Sequence, residues 1–350
     1  MKGMLHPLKD FFLLLVAGGM ASCDVHEFPE LDDVSTGQET GTDTRMAFYL
    51  QLDFDTLLPL YQEVTYPATR SVSAQAEDYS LRHIVNVYQA DDDGDFTRTY
   101  DYQFVFTQRT ALPSDTCLLL RLYPGTYRFI VWTDYVEYGT TEDNFYDTSD
   151  FAEITVDTAH YKGSTDFRDA FRGTQDAALT LGSEQDTAIV VMERPLAKFE
   201  IIATDLREFL ETIAQGTMEA SYNADSIDLS AYSVVFTYPY FMYCSYNLFT
   251  DRPADSAAGI HFNGEILALN DSLARLGFDY VFVGTYATSE QVYLSIYNPQ
   301  GTLIASTGTF TIPLMRSELT TVYGAFFTAA SSGGVGVQTT YEGTYNIEIK

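Results

Sequence analysis

From Arg45 onward the apolar residues fall into short runs, many alternating with polar ones, separated by clusters of Gly, Pro, Asn and Asp. Arg45–Phe54, Leu81–Gln89, Tyr100–Thr107, Cys117–Tyr123 and Thr126–Thr133 are rich in Val, Ile, Tyr, Phe and Thr and predict strands. Asp91-Asp92-Asp93-Gly94-Asp95 reads as a hairpin tip, and Pro124-Gly125 as a tight turn. In the run Thr126–Trp132, residues Tyr127, Phe129 and Val131 share one face while Arg128, Ile130 and Trp132 share the other. Both sets are largely apolar, so this strand should be buried on much of both faces. Phe167–Phe171 suggests a short helical turn.

Further strands are expected at Ala188–Glu193, Leu196–Ala203, Tyr232–Tyr238, Tyr280–Ala287, Gln291–Tyr297, Thr302–Phe310, Thr320–Thr328 and Thr344–Ile349. The period changes once. Leu206, Phe209, Leu210, Ile213 and Ala214 follow a helical spacing over Thr204–Gln215, with Asp205 and Glu208 placed for a capping box. Many short strands and one short helix predict an all-β chain, and 350 residues predict two tandem β-sandwiches. The composition shift at 182–188 places the boundary between an N-terminal sandwich, 45–187, and a C-terminal one, 188–350.

The first residues have a different pattern. Lys2 and Lys9 precede the apolar run Phe11–Ala17, and small residues lead to Ala21-Ser22-Cys23. That arrangement predicts a signal peptide over 1–22, with an apolar run too short to cross a bilayer. Small residues immediately before a cysteine look like a bacterial lipobox, in which Cys23 becomes the first residue and carries acyl chains such as palmitate. An ordinary signal peptide with an incidental cysteine is the plainer alternative. Residues 23–44 are acidic and rich in turn formers, and read as a tether between lipid and body.

Composition narrows the function classes. Lys and Arg total 19 against 49 Asp and Glu, a formal charge of −30, which repels nucleic-acid backbones. The chain holds 26 Tyr, 24 Phe and one Trp, enough aromatic surface to build sizeable cores. With five His and three Cys there are few parts for a metal site or a nucleophile–base pair. No Gly-rich phosphate loop, HExxH or GxSxG motif occurs, so no cofactor, metal or enzymatic activity is expected. Cys117 and Cys244 lie in strands of different predicted domains and read as free thiols. His83, inside a strand pattern, reads as a packed or surface residue. Asp91–Asp95 departs from the calcium-loop order and reads as a solvated turn.

Two surfaces remain open to a partner. In Val335–Lys350 the residues Tyr345, Ile347 and Ile349 share one face, so the segment is either the last strand of its own sandwich or a strand offered to a neighbour. Trp132 and the cluster Tyr238-Pro239-Tyr240-Phe241-Met242-Tyr243 are either strand core or an aromatic platform for sugar rings, with Trp132, Tyr240 and Tyr243 as the candidate glycan contacts. Triplets such as Asp157-Thr158-Ala159, Asp186-Thr187-Ala188, Asp255-Ser256-Ala257 and Asp271-Ser272-Leu273 are similar to the O-glycosylation acceptor of Bacteroides-type secreted proteins.

Four stretches carry a family resemblance: Cys23-Asp24-Val25-His26-Glu27-Phe28-Pro29, Arg168-Asp169-Ala170-Phe171-Arg172-Gly173, Arg194-Pro195-Leu196-Ala197-Lys198-Phe199-Glu200, and Arg316-Ser317-Glu318-Leu319-Thr320-Thr321-Val322-Tyr323-Gly324. In their order and spacing they resemble FimB-type fimbrial anchor and accessory subunits of Bacteroides-like bacteria, within the wider fimbrillin family. The resemblance implies transthyretin-like sandwiches on a lipoprotein of the outer-membrane surface. It also implies fimbrial shaft or accessory subunits as partners, and a role in anchoring, terminating or capping a fimbrium. In shaft-type relatives a cut after an N-terminal Arg opens a groove. A cut at Arg45 or Arg70 would detach this body from Cys23, so a retained N-terminus is expected.

Overall fold

The computed structural model describes residues 25–27, 46–58, 78–109, 116–181, 186–216 and 227–328. The N-terminal half is built from β1 (Val25–Glu27), β2 (Met46–Phe54), β3 (Tyr79–Gln89), β4 (Tyr102–Gln108), β5 (Thr116–Leu122), β6 (Gly125–Glu137), β7 (Ile154–Thr155), β8 (Phe171–Leu179) and β9 (Asp186–Met192). After β10 (Leu196–Ala203) comes α1 (Leu206–Gly216), then β11 (Ser233–Tyr238), β12 (Met242–Tyr243), β13 (Ser245–Asn247), β14 (Arg252–Pro253) and β15 (Ser256–Ala257). The rest is β16 (Ile260–Gly264), β17 (Leu267–Ala268), β18 (Ala274–Phe282), β19 (Thr288–Tyr297), β20 (Leu303–Ser306), β21 (Phe310–Leu314) and β22 (Leu319–Gly324). The all-β expectation holds. Among the described residues no helix is long and apolar enough to cross a membrane.

Two four-stranded sheets make the first core: β1-β5-β2-β9 and β4-β3-β6-β8. Phe48, Leu50, Leu52 and Phe54 of β2 point inward, meeting Val85 and Val87 of β3 and Tyr127, Phe129 and Val131 of β6. Alternation on β2 leaves Ala47 and Asp53 exposed, which is why this short segment settles as a strand with one dry face. Each apolar side chain buried there contributes about 1.5–3 kcal/mol. Gly173 of β8 lets the two sheets pinch together, since a Cβ at that position would run into Val190 Cγ1 and Met192 Sδ.

Two further sheets, β17-β18-β10-β22 and β16-β11-β19-β20 with β21 on β19, carry the second core. Their close approach is visible at Gly277, whose φ of +156° and contact with the Phe236 ring leave no room for a side chain. The two cores meet at β6. While Phe129 and Val131 enter the first, Ile130 and Trp132 on the opposite face join the cluster that continues through Tyr146, Phe282 and Phe199 into the second. The both-faces expectation for this strand is met because a second layer covers it.

Several sequence expectations shift in detail. β9, read as the opening strand of the 188–350 domain, pairs in parallel with β2 and belongs to the first core. The strand expected at Tyr280–Ala287 is β18, which ends at Phe282. β8 was not foreseen: its sequence Phe171-Arg-Gly-Thr-Gln-Asp-Ala-Ala-Leu179 is mostly polar, and it is held as a strand by a full ladder to β6. The capping box on α1 does not form. The Asp205 carboxylate instead accepts from the Phe327 and Thr328 backbone N–H groups and the Thr328 hydroxyl, clamping the chain after β22 against the helix. The Asp91–Asp95 tip forms as a turn in which Asp91 Oδ1 accepts from Asp93 N and Asp95 N. Val25–Glu27, inside the span read as tether, pairs with β5.

β19 carries one acid on its inward row, where Glu290 precedes Val292, Leu294 and Ile296, all buried. Burial alone pushes the Glu290 carboxyl up to about 7. The unfolded chain ionises this group near its ordinary value while the folded chain holds the proton. Stability from Glu290 is therefore complete below about pH 4.5 and is lost as pH rises through about 7. In urea titrations, Glu290→Gln should gain on the wild type between pH 5 and pH 8, by up to about 3 kcal/mol. A pH-independent difference would refute the assignment.

Candidate functional site

Residues from three of the sequence stretches, far apart in the chain, converge between the two cores. Arg168, on a 3-10 turn at Asp166–Arg168, donates from Nη1 to Asp279 Oδ1 of β18 at 3.1 Å. Asp279 also accepts from the Tyr161 and Tyr238 hydroxyls at 2.8 and 2.7 Å and from the Tyr280 backbone N–H. Asp169, next to Arg168 in the chain, accepts from Arg194 Nε at 2.8 Å. The rest of the Arg194 fork donates to three successive carbonyls after β2: Nη1 to Asp55 and Leu57, and Nη2 to Thr56, at 2.9–3.0 Å. Arg316 donates from Nε to the Arg194 carbonyl and from Nη1 to both oxygens of Asp251. Arg172 lies 3.4 Å from the same Asp251 and donates to the Leu248 carbonyl. Asp251 further accepts from the Tyr246 hydroxyl at 2.6 Å.

Electrostatics follow from burial. Desolvation pushes the Asp169 and Asp279 carboxyls upward, and the guanidinium groups of Arg194 and Arg168 oppose it. With four donors on Asp279, the charged pair is the state the geometry fits. Desolvation also drives the Tyr161 and Tyr238 hydroxyls well above their ordinary value. Ring faces complete the packing, with Arg194 4.6 Å over Phe171 and Arg168 4.1 Å over Tyr161. A small sheet, β14-β13-β7, adds backbone bonds between the halves. This is a joint between the two cores.

The sequence candidates lie elsewhere. Trp132 is fully buried, edge-on to Tyr146. As a glycan contact it is corrected: it lies between the two cores and offers no face to a sugar. Tyr240 and Tyr243 are 56% and 37% exposed, joined by Phe241 at 73%. Phe241 and Tyr243 flank the buried Met242, and β12 pairs with β15. Cys23, the residues Tyr345, Ile347 and Ile349, and the cleavage candidates Arg45 and Arg70 lie outside the described residues. Cys244 is a free thiol. His83 is buried in β3, stacked 4.6 Å from Phe106 and hydrogen-bonded to Thr133 Oγ1. Among the described residues no group of three His, Cys, Asp or Glu is placed to hold a metal ion. Thr158, Thr187, Ser256 and Ser272 of the acceptor-like triplets are exposed.

Sequence reasoning missed the joint. Its arginines were visible as motif residues, but nothing in one sequence says that Asp279 and Asp251 complete them.

A family described as "Family of unknown function (DUF6562)" matches residues 40–350. No curated protein matches the chain. Among solved structures it is similar to the fimbrial anchor protein Mfa2 from Porphyromonas gingivalis, at 14% identity and a TM-score of 0.36, over 75% of this chain and 82% of that one. It is similar also to a fimbrial assembly protein from Parabacteroides distasonis, at 12% identity and TM-score 0.39, over 82% and 93% of the two chains. A third is a protein from Bacteroides thetaiotaomicron described as "putative polysaccharide binding", at 8% identity and TM-score 0.40, over 75% of this chain and 79% of that one.

The joint makes a sharp expectation. Arg194→Ala leaves Asp169 buried without its charge partner and three carbonyls without donors, and should cost about 3–5 kcal/mol in chemical denaturation. Arg194→Lys should recover little, because one ammonium cannot reproduce a planar fork that serves four acceptor groups. Full rescue by Lys would show that charge alone is needed.

Proposed function

The chain belongs to the DUF6562 family, and from that footing we propose that it is a lipid-anchored subunit of the outer-membrane surface that anchors, terminates or caps a fimbrium through strand-mediated contact. The observation that supports this reading most is the place of β1. Val25–Glu27, two residues past Cys23, runs parallel along β5 with Val25 opposite Cys117 and Glu27 opposite Leu119. An edge strand with free N–H and C=O groups is where an incoming chain would add. Here the chain's own N-terminal residues occupy that edge of β5. A subunit closed in this way by the segment next to its lipid receives no neighbour at that edge, which suits an end position. The FimB-type motifs in the sequence point the same way, and the joint described above suits a part that must pass a pull between lipid and partner.

Expected outcomes follow for cells. Cys23→Ala should move the protein from the outer-membrane fraction to the soluble one, with folding unchanged by circular dichroism. A deletion strain should shed fimbriae or make them overlong, and the membrane-bound wild type should co-purify with shaft protein. N-terminal sequencing of that material should not begin at Met46 or Ser71. Retention of Cys23→Ala in the membrane would overturn the lipid anchor, and normal attached fimbriae in the deletion strain would overturn the fimbrial role.

A second reading, glycan binding at the cell surface, is favoured by one observation: Tyr240, Phe241 and Tyr243, three aromatics within four residues, are all exposed. If it is right, the double variant Tyr240→Ala, Tyr243→Ala should lose retention on a glycan panel by about tenfold while its melting temperature stays put, as expected for about 1.4 kcal/mol of lost stacking. No retention by the wild type would remove it.

A further inference from the structure

One sheet of the second sandwich ends in β16, which stands last in the order β16-β11-β19-β20 and, among the described residues, pairs with β11 only. Which of its backbone groups the ladder uses can be read from the far side of the sheet. Leu294 of β19 donates its N–H to Thr307 Oγ1 at 2.8 Å, and its carbonyl accepts from the Thr307 N–H at 3.0 Å. Thr307 follows β20, so these groups of Leu294 point away from β11. In an antiparallel sheet the groups of successive residues alternate sides. Phe236, opposite Leu294, therefore turns its own groups toward β16, where Phe262 is its partner. The Gly259 N–H bonds the Tyr238 carbonyl with the same parity. The N–H and C=O groups of His261 and Asn263 are left pointing outward, past the end of the sheet.

Such a row is a template for an added strand, and proteins commonly blunt it with Lys or Pro. From Ala254 to Ala274 this chain has no Lys, Arg or Pro. The outward side chains of β16, His261 and Asn263, are exposed. Just beyond them Leu267 and Leu269 are 39% and 46% exposed. Charge along the stretch has one sign: Asp255, Glu265 and Asp271 are all exposed.

We infer that the free side of β16 is a docking edge, and that its occupant is an extended, positively charged segment of another subunit. The inference rests on the strand-mediated contact proposed above and deepens it by naming the strand. His261 and Asn263 each offer a donor and an acceptor at a two-residue repeat, which an extended chain matches. Leu267 and Leu269 give that chain apolar surface to cover. A second copy is the wrong occupant, because two chains of net charge −30 repel each other. A segment carrying Lys or Arg is instead drawn to the strip between Asp255 and Glu265. The edge of β5 is filled from within by Val25–Glu27, and β16 is the edge on which an end subunit receives its neighbour.

The test uses the full chain, with purified fimbrial shaft protein as the probe. In the free chain the His261 and Asn263 amides should exchange with solvent freely, and bound shaft protein should slow both by about hundredfold. Asn263→Pro removes an outward N–H without touching the ladder to β11, and should weaken binding about tenfold. Should that variant melt below the wild type, Glu265→Lys serves in its place, weakening binding about tenfold at low salt and less at high salt. Binding with His261 and Asn263 exchanging as in the free chain overturns this edge and leaves the fimbrial role standing. Binding that both variants leave unchanged does the same. Shaft protein that does not bind the wild type overturns the fimbrial reading and the docking edge with it.

Discussion

A charged group buried at an interface must be paired, and at the joint this requirement is met by partners drawn from opposite ends of the chain. Arg194 spends its fork on Asp169 and on the carbonyls of 55–57, so the strand leaving the first core is finished by a side chain that opens the second. Arg168 meets Asp279 only if β18 is already in its sheet, and Arg316 meets Asp251 only if the β13–β14 turn is closed. The Arg168–Asp279 bond cannot form in half a protein. Relative orientation of the sandwiches is therefore selected together with their folding, since any other arrangement strands a guanidinium or a carboxylate out of water.

β6 imposes the same coupling through packing. A strand with Phe129 and Val131 on one side and Ile130 and Trp132 on the other needs two layers to cover it, and only the second half supplies the outer one. Cross-strand neighbours Arg82 and Asp134 sit on this shared sheet, and Arg82 also donates to the Thr141 carbonyl and Asp143, fixing the loop that lies beside the interface. Apolar burial and satisfied charge point to one geometry. That agreement is the mark of a sequence that specifies a single arrangement.

Alternation made β2, β3 and β6 legible, because a period of two survives in the sequence whatever covers the strand. β8 was hidden for the opposite reason: Arg172 serves the joint, Gly173 admits the close approach of β9, and the ladder to β6 overrides the segment's weak strand preference. The sequence leaves Trp132 open between strand core and sugar platform, since an aromatic in a two-sided strand does not announce which layer lies over it. Asp205 shows the same limit at short range. Its spacing to Glu208 fits a helix cap, yet it is used by residues more than a hundred positions later. Local rules fail where long-range partners compete for the same group, and here those places are the joint and the exit from β22.

β22 runs parallel to β10, with Leu319 opposite Lys198 and Gly324 opposite Ala203. The chain reaches β10 from the joint at its N-terminal end and leaves β22 at its C-terminal end, where Asp205 grips Phe327 and Thr328. Tension between those two points runs along the strands in opposite senses. Every rung of the ladder is then loaded at once, in shear, and the pair cannot be peeled apart one hydrogen bond at a time.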